Sequence, residues 1–389
     1  MTTPPPPPPP PRAPEPTPPT QSGPVPPGWG APGAGYPQPA STAYPPAQPY
    51  GTQAQPYGAA YPGPYSQAPA PVRPPALPME PVEYQHVLRG QRRRWWRPPI
   101  SLLLVLGGIL AASIALVIVS GIGYAIMSGG DLDAFEELAL DFNNPLTFAV
   151  QNLWLAALIP IAGLATWIAH GVRPGFVSSV VGRFRWGWFG WCLLVTVPLW
   201  IAYLGIAALV DGGDITDTSG RPSTWAVLLL LTFLTTPFQA AGEEYLFRGW
   251  LMQQIGAWVK NTYAALTLAV VLSSVVFALA HTSLDPWILI DLGAFATAAV
   301  LLTWRTGGLE AAVALHVVNN VIVLVLSILT TGLQDAFITS DTTSDPLTAV
   351  MSVVALTITS GVIWWLAGRR DVARTTAPLD SGERAPVPA

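Results

Sequence analysis

Hydrophobic positions in this chain gather into long unbroken runs instead of alternating with polar ones. From residue 100 onward eight such runs recur, near 101–127, 147–169, 187–210, 224–246, 263–281, 286–304, 309–330 and 347–367. Each is about 20 residues or longer, the length at which an α-helix crosses the hydrocarbon core of a bilayer. The pattern predicts an all-α polytopic membrane protein, with an eight-helix domain over residues 86–370.

The polar stretches between the runs differ in charge by turns. "RGQRRRWWRPP" precedes the first run, Arg173, Arg183 and Arg185 follow the second, Lys260 the fourth, Arg305 the sixth and "GRRDVAR" the eighth. The intervening loops "SGGDLDAFEELALDFNNP", "DGGDITDTSGRP" and "DAFITSDTTSDP" are acidic. Lys and Arg beside span ends mark the cytoplasmic side, so both termini are expected in the cytoplasm of a multi-pass plasma-membrane protein. Trp95, Trp96, Trp186, Trp188, Trp304, Trp364 and Trp365 fall at the expected interfaces, where indole rings anchor spans.

Outside the runs the composition changes abruptly. Most of the 43 prolines lie in the first 80 residues, with tyrosines in phrases such as "YPPAQPYGTQAQPYGAAYPGPY". Such a segment cannot bury enough apolar surface to offset its ordering entropy. Residues 1–85 are therefore expected to be a disordered Pro/Gly/Tyr-rich cytoplasmic tail, and 371–389 a shorter one. The opening "MTTPPPPPPPP" lacks the basic and apolar regions of a cleavable signal, so targeting is expected from the first span. Overall, 51% of residues are hydrophobic and 10% charged, against roughly 25% charged in soluble domains. A net charge of −4 spreads over both sides of a membrane and identifies no partner; the expected partners are the bilayer and a membrane-associated peptide or protein, with no nucleic acid. The single cysteine, Cys192, rules out an intramolecular disulfide.

Against this apolar background "AGEEYLFRGW" stands out. Each charge near a helix centre costs about 2.5–3.5 kcal/mol on insertion scales, so Glu243, Glu244 and Arg248 together would cost roughly 9 kcal/mol if unpaired. Glu244 and Arg248 are four residues apart, on one helix face and within ion-pair reach. Glu243 is turned about 100° away and has no partner on its own helix. Two of the four histidines also lie in spans: His281 ends "VVLSSVVFALAH", and His316 sits in "AAVALHVVNNVIVLVL" with Asn320 at i+4 and Asn319 slightly off that face. Ionisable groups inside spans face the bundle interior, so these residues are expected to form one intramembrane site.

Three motifs in order, "EEYLFR", "FALAH" with Phe277 and His281, and "HVVNN" from His316 to Asn320, resemble those of the CPBP family of intramembrane proteases. That family includes the type II CAAX prenyl proteases and the Abi-type bacteriocin-immunity proteins. The resemblance covers about residues 190–335 and implies an eight-helix fold open to the cytoplasm. It implies that Glu243 activates water, His281 helps hold that water, His316 and Asn320 stabilise the oxyanion, and Glu244 and Arg248 support the site and orient substrate. The implied reaction is peptide-bond hydrolysis near the cytoplasmic side, without a covalent intermediate. Zn2+ held by Glu243, His281 and His316 is an alternative, since two histidines and a glutamate form a catalytic zinc set, although the tight "HExxH" spacing is missing.

Two other readings come from different classes: a catalytically silent immunity or scaffold relative, and a proton-coupled transporter in which Asp291 of the sixth run serves as a relay. One spacing conflicts with a shared site. If its span begins at 263, His281 falls at the end opposite Glu243 and His316, so convergence requires that span to start later or to tilt.

Overall fold

The computed structural model describes residues 74–211, 217–281, 283–334 and 336–378, all within the unit Pro69–Ala389. Most of the expected N-terminal tail, including the unit Met1–Ala68, lies outside the described residues. A short 3-10 helix, Tyr84–Arg89, precedes α1 (Arg97–Met127), α2 (Leu132–Leu140), α3 (Pro145–Ala156), α4 (Leu158–His170), α5 (Gly175–Ser178) and α6 (Trp186–Asp211). Then come α7 (Trp225–Glu244), a π-helical segment (Tyr245–Leu251), α8 (Met252–Trp258), α9 (Thr262–His281), α10 (Pro286–Thr306), α11 (Glu310–Leu329) and α12 (Pro346–Arg369).

Seven helical stretches among the described residues are long and apolar enough to cross a membrane, and α9 contributes a shorter apolar one, Thr262–Phe277. A pairing of segments before α1 and after α12 counts the crossings independently. Val82 N–H donates to Thr376 Oγ1 at 3.1 Å, and Thr376 N–H returns a bond to Val82 O at 3.0 Å. Segments paired in this way lie on one side of a membrane, so the number of crossings between them is even. Counting α9 makes it eight.

This pairing also moves the boundaries expected from composition. Tyr84 and Gln85, placed at the end of the tail, are fully buried because the 3-10 helix packs on α8 and Tyr84 Oη donates to Val177 O. Thr375 and Thr376, placed in the C-terminal tail, pair with Glu83 and Val82. A proline-rich composition ends where a complementary groove begins, and only the folded bundle supplies that groove.

The charged loop residues do more than report sidedness. Asp131, Asp285 and Asp345 accept backbone N–H bonds as N-caps of α2, α10 and α12, satisfying donors that have no intrahelical partner. On the other side, Arg89 and Arg93 donate to the last carbonyls of α8, and Arg97 donates to His170 O at the end of α4. Cations there meet unpaired carbonyls and the negative end of the helix dipole.

The buried centre is the first half of α11, where every residue from Glu310 to Val318 is buried; it packs on α6, α7 and α10. By contrast α1 leaves Leu103, Leu110, Val117 and Ile126 exposed, an apolar face suited to lipid.

One close approach sets the position of α7. Pro160 has no N–H to return to Ala156 O, and the helix that began at Pro145 breaks between α3 and α4. At this break α7 comes so near that a Cβ on Gly242 would sit 1.9 Å from Leu155 O. Only glycine fits there, one residue before Glu243. Gly242→Ala is expected to push α7 off α3, costing about 1–3 kcal/mol as overpacking; thermal unfolding in detergent measures it.

Candidate active site

The stretch from Trp225 to Trp258 is one continuous apolar helix of 34 residues. At ~1.5 Å per residue it is about 50 Å long, well beyond the hydrocarbon thickness of about 30 Å. Glu243 and Glu244 close its α part, and Arg248 lies in the π-helical segment. A π segment adds a residue to the turn and redirects side chains, a device frequent at functional sites.

The overshoot of this helix bears on the expected misplacement of His281. Because α8 continues past Arg248 to Trp258 before the chain turns, α9 starts well beyond the site and must travel back to reach it. By Phe277 it has done so: the Phe277 ring packs edge-on to Phe247 at 5.6 Å and to His316 at 6.2 Å. His281 ends α9 one turn later, and its side chain lies outside the described residues.

Glu244 and Arg248 are fully buried and form the ion pair expected from their spacing, Nη1 to Oε1 at 2.9 Å. Three rings, Phe247, Phe277 and Phe295, surround the guanidinium at 5.4–5.9 Å, each offering its negative face to the cation. Arg248 is thus enclosed by the Glu244 carboxylate and the three rings.

The same Glu244 oxygen takes a bond from another helix, His316 Nδ1–H on α11 at 2.8 Å. An imidazole donating from Nδ1 to a carboxylate has its ring orientation fixed. Its Nε2 then faces Glu243 Oε2 at 3.9 Å, too far for a direct hydrogen bond and within reach of one bridging water.

The other Glu243 oxygen is held. Gln239, one turn back on α7 and absent from the sequence expectations, donates from Nε2 to Glu243 Oε1 at 2.5 Å. Asn320 Nδ2 donates to Gln239 Oε1 at 3.1 Å. The structure thus brings Glu243, Glu244, Arg248, His316 and Asn320 together. It adds Gln239, which the i−4 spacing from Glu243 could have flagged, and Phe295, 5.0 Å from the His316 ring, which no local pattern marks.

Two further expectations meet the geometry. Of the expected zinc set, His316 Nε2 and Glu243 Oε2 lie 3.9 Å apart, while the side chain of His281 lies outside the described residues. Asp291, the relay candidate, accepts a bond from Ser352 Oγ, and no hydrogen bond among the described residues joins it to the Glu243 cluster.

With this geometry in place, comparison with known families is specific. Residues 222–322 match the family model for Rce1-like type II CAAX prenyl endopeptidases. The matched span contains all six expected site residues and Gln239. No curated protein and no solved structure is significantly similar to the chain.

Proposed function

We propose, from the premise that this chain belongs through residues 222–322 to the Rce1-like family of type II CAAX prenyl endopeptidases, that it is an intramembrane endopeptidase using glutamate-activated water. The observation that carries this reading is the division of labour at Glu243, with Oε1 clamped by Gln239 at 2.5 Å and Oε2 left 3.9 Å from His316 Nε2.

A water seated against Oε2 gives its proton to Glu243 as its oxygen attacks the scissile carbonyl carbon. Positioned proton transfer of this kind contributes about 10²–10⁴ in rate. The next role falls to His316. The two nitrogens of His316 face different partners, Nδ1 toward Glu244 and Nε2 toward Glu243. When the ring carries a proton on both nitrogens, Nδ1–H stays on Glu244 and Nε2–H meets the developing oxyanion. Asn320 carries two amide N–H groups and spends one on Gln239, leaving the second for the same oxygen. Donors aimed at developing charge in a dry site are typically the largest electrostatic contribution to such catalysis. Collapse of the tetrahedral intermediate breaks the C–N bond, and Glu243 returns its proton to the leaving amine.

Glu243 is 9% exposed and His316 4%, so peptide must enter by separation of helices around the site. Glu243 lies about 27 Å along α7 from Trp225 and His316 about 9 Å into α11, which supports chemistry near the side where Val82 pairs with Thr376. The arginine-rich loops favour the cytoplasm for that side.

The full chain in liposomes, given a farnesylated peptide ending in a CAAX motif and the same peptide without lipid, tests the reading by mass spectrometry of the released tripeptide. Cleavage of either peptide supports an endopeptidase, and the ratio of the two rates reports whether the lipid is recognised. The zinc alternative is tested on the same preparation. The water-only mechanism predicts background zinc by elemental analysis and full activity after chelation. About one zinc per chain with chelator-reversible inactivation would replace it.

A further inference from the structure

The clamp on Glu243 is the last link of a longer row of amides that reaches back to α6. We propose that Gln239, backed by Asn320, Asn319 and Trp200, is a positioning residue that immobilises one oxygen of Glu243 and so assigns the proton chemistry to the other. The kinetic part of this inference rests on the endopeptidase reading; the structural part does not.

Trp200 on α6 is almost fully buried, and its indole N–H can only donate. It donates to Asn319 Oδ1 at 3.1 Å, which turns the Asn319 amide nitrogen toward Asn320 Oδ1 at 3.0 Å. Asn320 Nδ2 then donates to Gln239 Oε1 at 3.1 Å, and Gln239 Nε2 to Glu243 Oε1 at 2.5 Å. Four hydrogen bonds run in one direction, from a group that only donates to a carboxylate that only accepts. Both ends dictate the same direction, so all three amides have a single orientation.

Each amide in such a chain is polarised by the one before it. The last bond ends on a carboxylate, which makes it the charge-assisted link of the chain. The chain also crosses three helices, α6, α11 and α7, so the Glu243 rotamer is registered against the helix that carries His316 and Asn320. A carboxylate held this way cannot swap oxygens, and Oε2 stays opposite His316 Nε2.

A role in packing alone would change stability without separating kcat from KM and without coupling distant links. The test uses the full chain in liposomes with the peptide cleaved in the preceding assay, comparing Gln239→Leu, Trp200→Phe and the double variant. Gln239→Leu is expected to lower kcat about 10–100-fold, the scale of a roughly 1 Å misplacement, with KM within about twofold of wild type. Trp200→Phe removes the first donor and is expected to lower kcat about 3–10-fold, because the chain's polarisation is partly lost. The double variant is expected to match Gln239→Leu, since the far end loses its influence once the last link is cut. Multiplying effects, or a rise in KM with kcat intact, overturn the proposal.

A second readout needs no turnover. The indole ¹⁵N–H resonance missing from Trp200→Phe identifies Trp200 in micelles, and Gln239→Leu is expected to shift it across three intervening hydrogen bonds; an unmoved resonance overturns the proposal. A resonance that moves in protein showing no hydrolysis leaves the chain standing and removes the endopeptidase reading instead. Should Gln239→Leu not fold, Gln239→Met, unbranched and of similar length, takes its place in both measurements.

Discussion

Glu243→Gln is expected to reduce kcat by about 10²–10⁴, the contribution of a positioned general base, while leaving the folded protein intact. A glutamine at this position keeps the carbonyl that accepts from Gln239 Nε2 and lowers the cost of burying charge in a bundle where this side chain is 9% exposed. What it loses is the oxygen facing His316 Nε2 and with it the ability to take a proton from water. Initial rates of peptide release, with size-exclusion elution and thermal melting as controls for folding, check this. A variant hydrolysing within a few-fold of wild type would remove Glu243 from the chemistry.

Arg248→Ala is expected to fail in the opposite way, by loss of folded protein. Glu244 would keep His316 as a neighbour and lose its only guanidinium, leaving a fully buried carboxylate short of its counter-charge. Breaking a buried pair from one side costs about 3–5 kcal/mol, a large part of the ~5–15 kcal/mol that separates folded from unfolded chains. The cavity left between Phe247, Phe277 and Phe295 adds to it. Adding Glu244→Gln removes the orphaned charge while keeping an oxygen for His316 Nδ1, so the double variant should regain part of the yield. Unchanged melting in Arg248→Ala, with activity lost and not rescued, would instead make Arg248 a substrate-binding group.

How much of this was legible in the sequence depends on the range of the interaction. The eight spans were readable because an apolar run of about 20 residues has one stable solution in a bilayer. The ion pair was readable because i,i+4 spacing is local. The bond from His316 to Glu244 was not, since it joins residues 72 apart and depends on how α11 meets α7. Gln239 stands between these cases: its spacing from Glu243 was visible, but a glutamine in a span carries no charge to draw notice. The same holds for Trp200, whose indole looks like one more buried aromatic until its N–H partner is known. The acidic loops were read for sidedness alone, although Asp285 and Asp345 each precede a proline, the pairing of an N-cap with a first helical turn. Tyr84, Gln85 and Thr376 join the fold although composition puts them in the tails, because composition describes what a segment cannot do alone, not what it can dock against.

The central claim is that this membrane protein cuts peptide bonds with water activated by Glu243, and it can be tested without knowing the substrate. Membranes from a deletion strain carrying either the wild-type chain or Glu243→Gln at equal expression would be compared by mass spectrometry of protein termini. The account predicts a set of new carboxyl and amino termini on membrane-associated proteins in the wild-type sample and their absence in the variant; the same termini at equal abundance in both would contradict it.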